Sequence, residues 1–69
     1  MKFSIVHENA GRMRIRLAVR RMTMEQADKM EAWLGRQENV TAVTVHDNTC
    51  CAIIRYQGDR QELIRQISG

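Results

Sequence analysis

The sequence predicts a single α+β domain, an α/β sandwich in which a four-stranded antiparallel sheet is covered on one face by two helices. Three observations predict this class. The chain of 69 residues is long enough for one small core, so residues 1–69 are expected to form one domain. Apolar residues alternate with period two in some segments and recur at helical spacing in others. The resulting element order is β-β-α-β-β-α.

The first two strands are predicted to form a hairpin. Phe3–His7 is short, apolar and partly β-branched, and Glu8–Gly11 supplies the turn residues Asn and Gly. In the run "RMRIRLAV" that follows, arginines alternate with apolar residues, and Val19 continues the apolar set. Period two over this length indicates a strand with one buried face. The two runs should pair across the turn.

Two amphipathic helices are predicted from capping-box spacings. Thr23 and Gln26 can cap the first helix, which should end near Gly35, and Asp59 and Glu62 repeat the spacing before the second. Apolar residues recur at helical spacing in both segments: Ala27, Met30 and Leu34 in the first, and Leu63, Ile64 and Ile67 in the second.

A second hairpin follows the first helix. Val40–His46 and Thr49–Tyr56 are β-rich and flank a tight turn at Asp47 and Asn48. Because the chain ends without a last strand, the N-terminal strand should take the free edge of the sheet. The expected order is therefore Phe3–His7, Met13–Val19, Thr49–Tyr56, Val40–His46, which gives a ferredoxin-like sandwich.

The arginines are concentrated on one strand. The formal net charge is +3, and Arg12, Arg14 and Arg16 should share a sheet face with Arg55. We interpret this basic surface as a docking surface for an acidic protein face or anionic lipid, with a solvated strand as the alternative.

The chain has no run of about 18 apolar residues and does not start like a signal peptide. We therefore expect a cytoplasmic location, as a free domain or as the cytosolic piece of a larger protein.

Two sets of side chains could bind a metal ion. Met22 and Met24 offer thioethers for Cu(I), but Met also fills gaps in loops. Cys50 and Cys51 are adjacent, and a bridge between them would be strained, so we expect two thiols. Since neighbouring strand residues point to opposite faces, Cys50 should face the core and Cys51 the open face, where His46 could join it. A packing role is the stronger alternative for the methionines and for Cys50, whereas Cys51 is the better candidate for surface chemistry.

The order of several short pieces resembles the heavy-metal-associated domain family, from about Arg14 to Ile67. The pieces are "IRLAV", "MTMEQA", "ENVTAVTVHDNT", "AIIRYQGD" and "ELIRQI". The opening "IVHENAGRMRIRL" resembles a cysteine-poor subset of these domains. The resemblance implies a cytosolic N-terminal domain of a heavy-metal-translocating P-type ATPase, with a regulatory or docking role. Its partners would be other domains of that ATPase or its metal chaperone.

The chain departs from the family at the metal loop. Met24 and Ala27 stand where the family has its two cysteine thiolates. Thiolates are the ligands that Cu(I) and Zn(II) require, so we expect weak or absent binding of Cu(I), Zn(II) or Cd(II).

The alternative function is a small basic nucleic-acid-binding module, because the RNA-recognition fold has the same plan. That fold stacks bases on sheet aromatics, and this chain has only Phe3, Trp33 and Tyr56. We do not expect the chain itself to be an enzyme, since no nucleophile, base and orienting group come together.

Overall fold

The computed structural model describes residues 2–68 and has the predicted element order β-β-α-β-β-α. The elements are β1 Phe3–Asn9, β2 Arg12–Leu17, α1 Met24–Gly35, β3 Val40–His46, β4 Cys51–Tyr56 and α2 Arg60–Ser68. Within the described range, no helix is long and apolar enough to cross a membrane.

The strands form one four-stranded antiparallel sheet in the order β1-β2-β4-β3, which is the predicted order. The predicted hairpin between β1 and β2 is confirmed. Its turn uses Gly11, whose φ of 76° lies in the left-handed region that glycine adopts at little cost. A side chain at this position would also approach the Tyr56 carbonyl oxygen to 3.4 Å.

The core lies on one face of the sheet. Alternate residues of β2 and β4 and one side of each helix form a single buried cluster: Met13, Ile15, Leu17, Leu34, Ala52, Ile54, Leu63 and Ile67. Both helices therefore pack against the same sheet face. Burying this apolar surface is the main source of stability in a domain of this size.

The predicted cap of α1 is confirmed. The Thr23 hydroxyl accepts from the Gln26 amide at 3.1 Å, and the Gln26 side-chain oxygen accepts from the Thr23 amide at 2.9 Å. At α2 the cap differs from the prediction, because the Asp59 carboxylate accepts from the Gln61 amide at 3.3 Å. Glu62 pairs instead with Arg65.

The predicted bounds of three strands are wrong. Strand β1 continues to Asn9 instead of ending at His7, and β2 begins at Arg12 instead of Met13. Strand β2 ends at Leu17, and Val19 is 51% exposed instead of continuing the buried set. The Val19 amide donates to the Leu17 carbonyl oxygen at 2.8 Å, and this tight turn takes the chain away from the sheet. Strand β4 begins at Cys51, because Cys50 has a φ of 55° and belongs to the preceding turn.

A β-bulge at Val6 interrupts the pairing of β1 with β2. Ile5 lies opposite Ile15 and His7 lies opposite Arg14, so Val6 has no partner. The extra residue reverses the alternation of β1, because side chains beyond it point to the other face from the one that simple counting gives. His7 is thereby placed beside Arg14 on the face opposite the core.

Candidate functional site

The candidate site is the sheet face opposite the helices. On β2, Met13, Ile15 and Leu17 are at most 3% exposed on the core side, and the alternating arginines point the other way. We call this surface the arginine face and define it by Arg12, Arg14, Arg16 and Arg55. The predicted grouping of these four residues is confirmed, since Arg12 and Arg55 are direct cross-strand partners.

The strand register arranges the arginine face in three rows. They are Ser4, Arg16, Cys51 and His46; then His7, Arg14, Ile53 and Thr44; then Asn9, Arg12, Arg55 and Ala42. None of these positions is Asp or Glu. The 8 Asp and Glu residues of the chain all lie outside these rows. The face should therefore present a positive potential.

The arginines of this face have no acidic partner within the described residues. Within residues 2–68, the ion pairs join Lys29 to Glu25, Arg60 to Glu8 and Arg65 to Glu62. None of them uses an arginine of the arginine face. The Nε atom of Arg12 is buried and has no hydrogen-bond partner among the described residues. A guanidinium without an ion-pair partner retains the donor fork that pairs with carboxylate or phosphate.

Cys51 lies on the arginine face, as predicted, but it is not exposed. Only 2% of the residue is accessible to solvent. The expectation that it offers surface chemistry is therefore wrong. Alternation fixed the direction of the side chain, but the long side chains of Arg14 and Arg16 contact the sulfur and help to cover it.

The surroundings of Cys51 change its acidity. Burial raises the pKa of the thiol, because it disfavours the charged form. Hydrogen bonding with Thr49, Arg16 and Arg14, together with the charge of Arg14, has the opposite effect and outweighs it. The protonated thiol donates to the Thr49 carbonyl oxygen at 3.4 Å. The pKa of Cys51 is therefore lowered from its ordinary value, and its thiolate is stabilised by the same arginines that form the face.

Cys50 has a different environment from Cys51. It is buried, at 7% exposure, as predicted for a small core residue, and its thiol donates to the Asp47 carbonyl oxygen at 3.8 Å. Both cysteines are free. Because Cys50 lies in the turn and Cys51 in the strand, the two side chains belong to different surroundings.

The candidate metal ligands are only partly brought together. His46 and Cys51 are cross-strand partners, as predicted. However, nowhere in residues 2–68 do three or more His, Cys, Asp or Glu side chains come together in a way that could hold a metal ion. Two ligands fall short of the four that structural zinc sites use.

The segment "MTMEQA" also lacks a suitable donor set. Met24 is 73% exposed at the first position of α1, whereas Met22 is half-buried and packs against the core. Ala27, which the resemblance compares with a cysteine, is buried and has no donor atom. These residues do not fit a Zn(II) or Cd(II) site, and two neutral thioethers could hold Cu(I) only weakly.

Comparisons of the chain with protein-family models, with curated proteins and with solved structures found no match. The resemblance to heavy-metal-associated domains therefore stays a prediction.

Sequence reasoning missed His7 as a member of the basic surface. Counting from Phe3 with period two puts His7 on the core side, and the bulge at Val6 reverses this. No turn residue or composition change in "FSIVHEN" marks the bulge. The only available signal was a β-branched residue at each of two neighbouring positions, Ile5 and Val6, and this is ordinary in strands.

Proposed function

We propose that this chain is a docking module whose arginine face binds an acidic surface of a protein. The observation that carries the proposal is the set of four arginines on one sheet face without an acidic side chain in any of its three rows. Such a surface attracts anions and orients their approach before close contact is made.

An acidic protein surface suits this face better than a nucleic acid. Proteins that bind single strands on a sheet stack bases on aromatic side chains. The rows of the arginine face contain no aromatic residue. Phe3 and Tyr56 pack against the core cluster, and Trp33 belongs to α1. Guanidinium groups, in contrast, pair with carboxylates through two parallel hydrogen bonds.

The resemblance of the sequence suggests where such docking would occur. We propose a ferredoxin-like, heavy-metal-associated-like domain at the cytosolic N-terminus of a heavy-metal P-type ATPase. The arginine face would contact another domain of that ATPase or its metal chaperone. Regulation by contact, rather than metal transfer, agrees with the poor donor set of the "MTMEQA" loop.

The proposal is tested by titrating the domain with a glutamate-rich peptide and mapping amide chemical shifts. We expect the shifts to concentrate on β2 and β4, and the affinity to fall as salt rises. Reversal of two charges, Arg14→Glu with Arg16→Glu, should weaken binding by about ten-fold or more, since like charges then oppose each other.

A matched control reverses two exposed arginines outside the arginine face, Arg20→Glu with Arg36→Glu. It makes the same change in net charge and should weaken binding much less. Equal loss in both variants would show that only net charge matters and would contradict a specific face. Far-UV circular dichroism must show that the Arg14 and Arg16 variant is folded.

Three further kinds of titration test the other candidates. Vesicles containing phosphatidylserine and a single-stranded RNA replace the peptide in turn, and tighter binding of either would redirect the assignment. Anaerobic titration with Cu(I), Zn(II) and Cd(II) tests the metal loop. Stoichiometric shifts at Met22 and Met24, or at His46 and Cys51, would contradict a role based on docking alone.

A further inference from the structure

A cavity of about 470 Å³ lies between α1 and the segment that leads into it. Its apolar walls come from Val19, Met22, Met30 and Trp33. These four side chains are half-buried or exposed, so the cavity opens to solvent instead of being sealed in the core. The volume lies in the range of small-molecule sites in proteins, about 300–1,000 Å³.

The charged residues that line the cavity are both cations, Arg21 and Lys29. None of the ion pairs formed within residues 2–68 involves Arg21. Lys29 pairs with Glu25 at 3.5 Å, but the two side chains are 77% and 79% exposed. A pair this exposed contributes little, and an incoming anion can replace it.

The walls are suited to a ligand of variable shape. Methionine side chains are flexible and polarisable, and they make favourable contacts with aromatic groups. The indole of Trp33 adds a large flat apolar surface. A ligand that fits this lining has an apolar body and, where Arg21 and Lys29 lie, a negative end.

We propose that this cavity binds a small amphipathic monocarboxylate, such as a medium-chain fatty acid, with its apolar body against Met22, Met30 and Trp33. The carboxylate pairs with Arg21 and Lys29. The cavity shares no residue with the arginine face, so this binding activity goes beyond the proposed docking function and can succeed or fail independently of it.

The test uses the intrinsic fluorescence of Trp33, which is the single tryptophan of the chain. Decanoate is titrated into the folded domain at constant ionic strength. We expect a saturable change in emission with a dissociation constant of about 1 mM or tighter, as ligand efficiencies for a molecule of this size imply. Amide shifts should concentrate on residues 19–33.

Two analogues separate the apolar contribution from the charge. Decanol has the same chain without the anion, and decyltrimethylammonium carries the opposite charge. Both should bind several-fold more weakly than decanoate. The variant Arg21→Gln with Lys29→Gln should weaken decanoate binding about five-fold, because each exposed pair contributes modestly, and should leave decanol binding unchanged.

Two variants complete the design. Val19→Glu places an anion in the cavity lining at an exposed position outside the core cluster, and should abolish decanoate binding without unfolding the domain. Arg36→Gln removes an exposed cation just beyond the end of α1 and should have no effect. The proposal is overturned if decanoate does not saturate, if decanol binds equally well, or if Arg36→Gln weakens binding as much as the Arg21 and Lys29 variant.

Discussion

The two faces of the central strands β2 and β4 contribute differently to folding. On β4, Ile54 is fully buried against the helices, whereas the next residue, Arg55, is exposed on the arginine face. Burial constrains the core face in shape and volume. The charged residues of the arginine face are all basic, where an ordinary solvated surface mixes both signs. This charge pattern is the basis of the proposed docking role.

The largest expected effect is a difference in stability between substitutions at two neighbouring residues, one on each face. Ile54→Ala should lower the free energy of unfolding by about 2–5 kcal/mol, because it leaves a cavity in the core. Arg55→Ala should change it by less than about 0.5 kcal/mol, since the side chain is exposed. Urea unfolding followed by circular dichroism measures both. Similar losses for the two variants would show that the arginine face is structural.

Cys51 breaks the simple division, because it lies on the arginine face and is nevertheless buried. We expect Cys51→Ala to lower the free energy of unfolding by about 1 kcal/mol, typical of losing a small buried group.

The same residue predicts a pH dependence. Because the folded pKa of Cys51 is lowered, the unfolded state holds the proton more tightly. The stabilisation is present above the unfolded pKa and is lost as pH falls through the folded pKa. The difference in stability between the wild type and Cys51→Ala should therefore grow as pH rises from below toward the ordinary thiol pKa, and should level off above it. A constant difference would contradict contact between the thiolate and the arginines.

The sequence predicted the structure correctly where a single physical rule determined it. Alternation along "RMRIRL" predicted both faces of β2, and the Thr23 and Gln26 spacing predicted the start of α1. Prediction failed where neighbours decided the outcome. The burial of Cys51 depends on arginines from another strand, and the cavity beside Trp33 depends on how the chain leaves β2. Neither arrangement has a period or motif in the sequence.

Deletion of the bulged residue tests whether the bulge places His7 on the arginine face. Deletion of Val6 should leave Ile5 opposite Ile15 and His7 opposite Arg14, because the bulged residue has no partner. We expect a loss of less than about 1 kcal/mol in unfolding free energy. Deletion of Arg14 from the central strand is the control. It should unfold the domain, since a one-residue slip turns the buried side chains toward solvent.

The smallest expected effect concerns an acid that the register keeps off the arginine face. Glu8 lies opposite Met13, on the core side, and accepts from Arg60 Nε at 2.7 Å, which ties β1 to α2. This hydrogen bond lowers the pKa of Glu8; desolvation opposes the shift, and the charge of Arg60 reinforces it. The resulting stabilisation is present above the ordinary carboxyl pKa and is lost as pH falls through the folded pKa.

The Glu8→Gln variant tests this pair. Its stability should differ from that of the wild type at about pH 6, and the difference should shrink as pH falls below the ordinary carboxyl pKa and the folded carboxyl becomes protonated. Glu38→Gln, at an exposed position without an ion pair in the described chain, should show no such convergence. If the two variants behave alike, the contact with Arg60 adds nothing to folding. In that case Arg60 could be substituted without loss of stability, and only the strand register would keep Glu8 off the arginine face.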